Sequence, residues 1–180
     1  MRRVRLSVAM SLDGYIAGPD GEYDWIPEDP GIDMAELFKD FDTILMGRRS
    51  YEAVRKQEAG IAMFGMPVVV FSSTLKAEDH PGVTVSRSPE ATVRELRAKP
   101  GKDLWLFGGG ELLRSFLEAG LVDGMDIAVM PILLGRGLPL LPPTGTRVAL
   151  TLVSHRAYQA SGTVLLTYDV RKDGASEGVR

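Results

Sequence analysis

The chain of 180 residues contains no cysteine and only two histidines. Without cysteine, the protein cannot form disulfides or thiolate zinc sites, and it cannot use a cysteine nucleophile. His80 and His155 lie far apart in the sequence and show no metal-ligand spacing. The sequence therefore predicts no metal site.

An excess of basic charge and long apolar runs are also lacking. The 21 lysines and arginines are outnumbered by 24 aspartates and glutamates, which gives a formal net charge of -3. A nucleic-acid-binding protein normally carries a basic face, so no nucleic-acid partner is expected. No segment approaches the length of a membrane span, and residues 1–14 contain only a broken apolar run, unlike a signal peptide. We therefore expect a cytoplasmic protein that does not bind membranes.

Apolar segments alternate with amphipathic segments through the middle of the chain. The predicted strands are VRLSVAMS, DTILMG, MPVVVFSS, DLWLFGGG and MDIAVMPILLG, and the predicted helices are DMAELFKDF, RRSYEAVRK, SPEATVRELRA and ELLRSFLEAG. The segment RVALTLVSHRAYQASGTVLLTYDV predicts a hairpin about Ser161-Gly162. This order is typical of an α/β fold with three layers: a mostly parallel central sheet, helices on both faces and a C-terminal antiparallel hairpin. We expect one domain over residues 1–171 and a disordered tail over 172–180.

Three predicted strands end in short or hydrogen-bonding residues, in ILMGRRS, VVFSST and WLFGGGE. In an open α/β sheet, ligands bind beyond the carboxyl ends of the strands. Glycines let the backbone approach a bulky anion, and the helix that follows offers unpaired N–H groups and a positive dipole end. Gly108, Gly109 and Gly110 are therefore predicted to bind a pyrophosphate.

Arg48 and Arg49 stand where a first helical turn begins, which is an unfavourable place for cations because of the helix dipole. Their position is explained if they face a phosphate, and two guanidinium groups suit the 2'-phosphate of NADP. Ser72 and Ser73 could donate hydroxyl hydrogens to the same phosphate or to a ribose.

Each of these patterns also has a purely structural interpretation. The glycines can form a tight strand-to-helix turn, the arginines a solvated surface pair, and the serines a turn or helix cap. The glycines do not form a Rossmann fingerprint, which would need glycine at Leu113 and would lie on the first βα turn. Their occurrence with the other two patterns at three strand ends favours phosphate binding.

With these motifs in place, the chain resembles the dihydrofolate-reductase-like superfamily over nearly all of residues 4–170. The segments that carry the resemblance are VAMSLDGYIAG, TILMGRRSYE, VVVFSST and LWLFGGGELLRSFLEAGLVD. The resemblance implies an enzyme that binds NADPH across the sheet edge and transfers hydride from its nicotinamide. The implied contacts are Ala9, Ile16 and Ala17 for the nicotinamide carboxamide, Gly47, Arg48, Arg49 and Ser50 for the 2'-phosphate and pyrophosphate, Phe71, Ser72 and Ser73 for adenosine, and Phe107, Gly108, Gly109, Gly110, Glu111 and Leu112 for the pyrophosphate.

On the substrate side, the sequence departs from folate reductases. These enzymes keep a carboxylate on the first helix, and counting from Trp25 places that position at Pro30 or Gly31; a helper threonine falls near Ala128. The segments MPILLGRGLPLL and SLDGYIA instead resemble the reductase domain of the riboflavin-pathway deaminase–reductase, which reduces the ribosyl group of a ribosylamino-pyrimidine phosphate. The partner deaminase domain needs zinc-binding cysteines, so the chain is not expected to have that activity.

The residues that would assist hydride transfer are less clearly indicated. Asp13, Asp33 or a bound water could supply the proton, although Asp13 can also close an Asp-Gly turn and Asp33 can cap a helix. Trp25 could stack on a planar substrate or cover the core as an aromatic lid. A small-molecule substrate is expected, and the resemblance implies a homodimer. Folate reduction and a non-catalytic nucleotide-binding protein of the same fold are the alternatives.

Overall fold

The computed structural model describes residues 1–145 and 147–172. Of the predicted tail, residues 173–180 lie outside the described part of the chain. The strands are β1 (Val4–Ser11), β2 (Tyr15–Ala17), β3 (Phe41–Gly47), β4 (Val68–Phe71), β5 (Thr84–Ser86), β6 (Asp103–Gly108), β7 (Gly124–Met130), β8 (Leu138–Pro139), β9 (Leu150–Ala157) and β10 (Val164–Val170). The α-helices are α1 (Met34–Phe38), α2 (Arg48–Arg55), α3 (Pro89–Ala98) and α4 (Gly110–Glu118), and single 3₁₀ segments span Gly60–Phe64 and Ala77–Asp79.

Eight strands form one sheet in the order β5-β4-β3-β6-β1-β7-β10-β9. Neighbouring strands from β5 through β4, β3, β6 and β1 to β7 are parallel. Strand β10 pairs antiparallel with β7, and β9 pairs antiparallel with β10. The predicted α/β fold with its C-terminal hairpin is therefore confirmed. Strands β2 and β8 form a separate antiparallel pair.

Both faces of the sheet are covered, as the near-continuous apolar strands predict. Alternate side chains of β3, such as Ile44 and Leu45, enter two different hydrophobic clusters. One cluster includes Phe116 of α4 and Val93 of α3, and the other includes Tyr51 of α2. Helices α3 and α4 therefore lie on one face, and α2 lies on the other.

This placement follows from the handedness of the connections. The chain passes from β3 to β4 towards one edge of the sheet, but from β6 to β7 towards the other. Because such parallel crossovers are right-handed, the helix after β3 and the helix after β6 must lie on opposite faces. The carboxyl ends of the neighbouring strands β3 and β6 therefore form a topological switch point, where α/β sheets bind ligands.

Helix α1 is shorter than the apolar spacing predicts. It ends at Phe38, and Phe41, which continues the helical spacing, instead begins β3. Asp33 caps the helix as predicted, since its carboxylate accepts the N–H groups of Ala35 and Glu36. The Glu36 carboxylate, three residues after this cap, pairs with Lys39.

The opposite, amino-terminal edge of the sheet is held by ion pairs around Asp123. Its carboxylate accepts the N–H of Val4 at 2.9 Å and pairs with Arg97 and Lys172. Burial alone would raise the pKa of Asp123, but these hydrogen bonds and nearby cations hold the pKa below its usual value. One carboxylate thus joins β1, α3 and the end of the C-terminal hairpin.

Candidate functional site

Strands β1 and β6 separate towards their carboxyl ends. They pair only from Val4 opposite Leu104 to Leu6 opposite Leu106. Beyond that point β1 continues beside β7, and β6 continues beside β3. The Trp105 indole N–H donates to the Ser7 carbonyl at 3.1 Å, where the ladder between the two strands has ended. A cleft thus opens between the second half of β1 and the exit of β6.

The segment Gly108–Gly110, here called the glycine turn, begins with the last residue of β6. Gly108 has φ of +104°, a conformation that side-chain-bearing residues rarely adopt, and a cis peptide bond joins it to Gly109. Gly109 is the N-cap of α4 and provides no side-chain cap. The first N–H groups of α4 therefore have no capping side chain and can donate hydrogen bonds to an anion.

Helix α2 begins in the same way and at the same place. Its N-cap is Gly47, again without a side-chain cap. A Cβ built on Gly47 would lie 3.8 Å from the Gly108 carbonyl oxygen, and one built on Gly109 would lie 3.6 Å from the Ser50 hydroxyl oxygen. Two helix N-termini without capping side chains thus meet at the switch point, at the strand ends ILMGRRS and WLFGGGE.

The two predicted arginines occupy the first turn of α2. The Arg48 guanidinium donates to the Glu52 carboxylate at 2.7 Å and to the Thr74 hydroxyl at 2.9 Å, so it reaches the exit of β4. The Arg49 side chain is exposed and makes no hydrogen bond or ion pair with another residue in the described ranges. Both arginines thus belong to the first turn of α2, the helix whose N-cap Gly47 adjoins the glycine turn. Thr74 directly follows Ser72-Ser73 in the sequence but was not among the predicted site residues.

The residues predicted on the adenosine side have different surroundings. Phe71 is buried in the core cluster beneath α4, where its ring packs edge-on against Phe116. The Ser72 hydroxyl oxygen accepts the N–H groups of Thr74 and Leu75, which favours the turn interpretation for this residue. Ser73 is exposed.

The positions predicted for the nicotinamide lie on the other wall of the cleft. Ala9 in β1 pairs with Ala128 in β7, so the position counted for the folate-type threonine lies beside a predicted nicotinamide contact and carries only a methyl group. Ile16 and Ala17 belong to β2, which pairs with β8. The end of β8 packs against Gly110, where an added Cβ would lie 2.8 Å from the Pro139 carbonyl oxygen.

At the end of the glycine turn, Leu112 is buried in the core and Glu111 is exposed and paired with Arg114. Phe107, just before the turn, contacts Phe64 and Trp105 through T-shaped ring pairs. The backbone of this segment, and not its side chains, thus faces the switch point.

The three predicted catalytic side chains are engaged in structural contacts. The Asp13 carboxylate accepts the Ser11 hydroxyl and the N–H groups of Leu134 and Gly135. These hydrogen bonds, of which that from Ser11 is the strongest contribution, lower the pKa of Asp13. Asp33 caps α1, and the Trp25 indole N–H donates to the Glu22 carbonyl. Their catalytic roles stay predictions.

Two cavities in the described part of the chain lie outside the glycine turn. A cavity of about 350 Å³ is lined by the end of α2 and by His80, and one of about 620 Å³ opens where β5 ends, beside Lys76 and Arg87. The second cavity extends the sheet edge that carries Arg48 and Thr74. Within residues 1–145 and 147–172, no group of three or more histidines and carboxylates could hold a metal ion, and no helix there is long and apolar enough to cross a membrane.

Comparison with known proteins assigns the family. The RibD C-terminal domain family matches residues 2–164. The chain belongs to this family. The uncharacterized protein YyaP of Bacillus subtilis (strain 168) is 33% identical over 178 residues, which cover 93% of this chain and 94% of the relative.

Solved structures of RibD-type proteins share the fold. A putative riboflavin biosynthesis protein from Shewanella sp. PV-4 superposes with a TM-score of 0.82 at 26% identity, covering 94% of this chain and 99% of that protein. A diaminohydroxyphosphoribosylaminopyrimidine deaminase/5-amino-6-(5-phosphoribosylamino)uracil reductase from Thermotoga maritima superposes with a TM-score of 0.69 at 19% identity, covering 93% of this chain and 56% of that protein. The predicted resemblance to the dihydrofolate-reductase-like fold and to the RibD reductase domain is therefore confirmed.

Proposed function

We propose that this RibD C-terminal domain protein is an NADPH-dependent reductase. The observation that carries the proposal is the meeting of two uncapped helix N-termini at the switch point, with Arg48 and Arg49 on the first turn of one helix. Backbone N–H groups at helix N-termini favour phosphate groups, and guanidinium groups favour the 2'-phosphate. The space beside Gly109 is one that a Cβ would fill, so the residues present fit a phosphorylated dinucleotide.

Each part of the edge has a role in this proposal. The glycine turn and the cap at Gly47 bind the pyrophosphate, and Arg48 and Arg49 bind the 2'-phosphate. The backbone at Ala9 and in β2 orients the nicotinamide, and the aromatic rings packed around Trp105 exclude water from that side of the sheet. When bound, NADPH supplies the hydride.

The proton for the acceptor comes from water in this proposal. The lowered pKa of Asp13 keeps its carboxylate ionised at neutral pH, and an ionised carboxylate that already accepts three hydrogen bonds is a poor acid. The Asp33 carboxylate is committed to the first turn of α1. Neither side chain is therefore assigned as the donor, and the protein's contribution is to hold the acceptor in place.

For the acceptor, we propose a ribosylamino-pyrimidine, as in the uracil reductase reaction of riboflavin biosynthesis. Membership of the RibD C-terminal domain family supports this choice, and the Thermotoga maritima protein with the same fold is named as such a reductase. Ala128 argues against folate reduction, because a methyl group cannot hydrogen-bond the amino-pyrimidine edge of a pterin.

The test is NADPH oxidation, followed by absorbance, with three acceptor classes: 5-amino-6-(5-phosphoribosylamino)uracil, dihydrofolate and small carbonyl compounds. We expect turnover with the ribosylamino-uracil and no inhibition of that turnover by an antifolate. Turnover with dihydrofolate that an antifolate inhibits would replace this assignment by folate reduction. NADPH binding without turnover of any acceptor would favour a non-catalytic nucleotide-binding protein.

The homodimer implied by the resemblance is also part of the proposal. Light scattering on the purified chain at several concentrations should give twice the monomer mass. A mass of one chain at all concentrations would contradict it.

A further inference from the structure

The Asp13 carboxylate connects two parts of the chain that are distant in sequence. Oδ1 accepts the Ser11 hydroxyl at 2.7 Å and the Leu134 N–H at 3.1 Å, and Oδ2 accepts the Gly135 N–H at 2.7 Å. The Ser11 hydroxyl oxygen in turn accepts the Tyr15 N–H at 2.9 Å. One side chain thus fixes both the turn into β2 and the loop that follows β7.

The loop held by Asp13 continues directly into the partner strand of β2. Gly137 packs so closely on β2 that an added Cβ would overlap the Ala17 carbonyl oxygen. Leu138 and Pro139 then pair with β2, and the Leu140 N–H donates to the Gly14 carbonyl at 2.9 Å. We call residues 134–142 the strap.

The far end of the strap rests on the glycine turn. A Cβ added to Gly110 would lie 2.8 Å from both the Pro139 carbonyl oxygen and Pro142 Cδ, and 3.0 Å from the Leu140 carbonyl oxygen. These are backbone and ring atoms that cannot move aside without moving the strap. The strap therefore touches both walls of the cleft: β2 on one side and the first residue of α4 on the other.

We propose that Asp13 is a positioning residue for the nucleotide site, which acts through the strap to hold β2 and the glycine turn at a fixed separation. The proposal rests on the proposed function, because it assigns the nicotinamide to the β2 wall and the pyrophosphate to the glycine turn. A dinucleotide that bridges both walls loses affinity when the walls move independently, since it must then order them on binding. Asp13 is thus distinguished from a proton donor, which would affect turnover and leave cofactor affinity unchanged.

The chain offers a matched control in Asp29. This carboxylate also accepts two backbone N–H groups from separate segments, Gly31 at 2.7 Å and Ser161 at 2.9 Å. It joins the long loop before α1 to the hairpin turn after β9, and it makes no hydrogen bond to the strap or the glycine turn. Asn at either position keeps one acceptor oxygen and places an NH2 group where the other carboxylate oxygen was, so one backbone N–H loses its acceptor. Only at Asp13 does that N–H belong to the strap.

The first measurement is the Kd for NADPH of the full chain carrying Asp13→Asn or Asp29→Asn. We expect the Kd to rise at least tenfold in Asp13→Asn and to stay within twofold of the wild-type value in Asp29→Asn, with similar melting temperatures for both. An unchanged Kd in Asp13→Asn, or equal losses in the two variants, would overturn the proposal. A fall in turnover at unchanged Kd would instead identify Asp13 as a proton donor.

The second measurement is amide hydrogen exchange of the same variants without any ligand. In Asp13→Asn we expect exchange at least tenfold faster in peptides covering 12–17, 134–142 and 108–113, and unchanged exchange in these peptides for Asp29→Asn. Faster exchange confined to 134–137 would show that the strap does not connect the two walls, which would overturn the proposal. If the wild-type chain does not bind NADPH, the proposed function fails, and exchange still decides whether Asp13 couples β2 to the glycine turn.

Discussion

At the scale of single residues, the three consecutive glycines at the end of β6 differ in why a side chain is absent. Gly108 needs its positive φ, and Gly110 has no room for a side chain beside Pro139. Gly109 has φ of -70° in extended backbone, and the nearest atom to an added Cβ is the Ser50 hydroxyl oxygen at 3.6 Å. Neither its φ nor its packing demands glycine. The proposed phosphate binding would explain why this position has no side chain.

Gly109→Val is therefore expected to fold and to lose NADPH. The branched side chain would occupy the space between the glycine turn and Ser50, where the phosphate is expected to lie. The measurement is a fluorescence titration with NADPH, with circular dichroism as the check on folding. Gly145→Val is the control, since an added Cβ there meets no atom within 4 Å. A folded Gly109→Val protein that binds NADPH normally would rule out the glycine turn as the phosphate site.

At the scale of elements, long periodic segments were predictable and short ones were not. Strand β1 spans Val4–Ser11 as expected, and α3 begins as predicted, with Pro89 in its first turn and the Ser88 hydroxyl accepting the Ala91 N–H. Strands β5, β2 and β8, of two or three residues each, were missed because so short a segment shows no period. Their strand geometry is imposed by neighbouring strands and not by local propensity.

What could be predicted of the site depends in the same way on whether its residues carry a local sequence signal. The proposed cofactor edge is built from strand ends whose turn residues carry a local signal, so the sequence could place Gly47, Arg48 and the glycine turn at one edge of the sheet. The strap, by contrast, is held by backbone N–H groups that any residue except proline provides. Its contact with Asp13 depends on the tertiary fold. From the sequence alone, Asp13 could therefore be either a turn residue or a proton donor.

The role of Asp33 can be tested through helix α1. Asp33→Asn keeps a capping oxygen but cannot donate a carboxylic proton, whereas Asp33→Ala removes the cap and should lower the free energy of unfolding by about 1 kcal/mol. We expect Asp33→Asn to match the wild type in both urea unfolding and turnover. A large loss of turnover in Asp33→Asn at unchanged stability would identify Asp33 as the proton donor instead.

At the scale of the whole molecule, the two edges of the sheet are built differently. The carboxyl edge has uncapped helix N-termini and exposed arginines, and the amino edge is held by ion pairs such as those of Asp123. A substitution at the amino edge should therefore change stability without changing cofactor affinity.

Asp123→Asn is expected to lower the free energy of unfolding by about 2 kcal/mol at pH 7, since it leaves partly buried cations without their partner. The folded-state pKa of Asp123 lies below the ordinary value for an aspartate, about 3.9. Its contribution is therefore complete above that pH and is lost as the pH falls through the folded-state pKa. The difference from wild type in urea unfolding should shrink when the pH is lowered to about 3.

The control is Asp24→Asn, because Asp24 is exposed and makes no ion pair with another residue in the described ranges. A difference between Asp123→Asn and wild type that does not depend on pH would show that the charge of Asp123 contributes nothing. Loss of NADPH affinity in Asp123→Asn at unchanged stability would contradict the separation of the two edges.

The proposed function depends on the binding of a phosphorylated dinucleotide along the carboxyl edge, with its 2'-phosphate at Arg48 and Arg49. The most direct test is a titration of the wild-type chain with NADPH and with NADH under the same conditions, followed by nicotinamide fluorescence. We predict a Kd for NADPH at least tenfold below that for NADH, a factor that corresponds to about 1.4 kcal/mol. Equal affinity for the two dinucleotides, or binding of neither, would contradict the account.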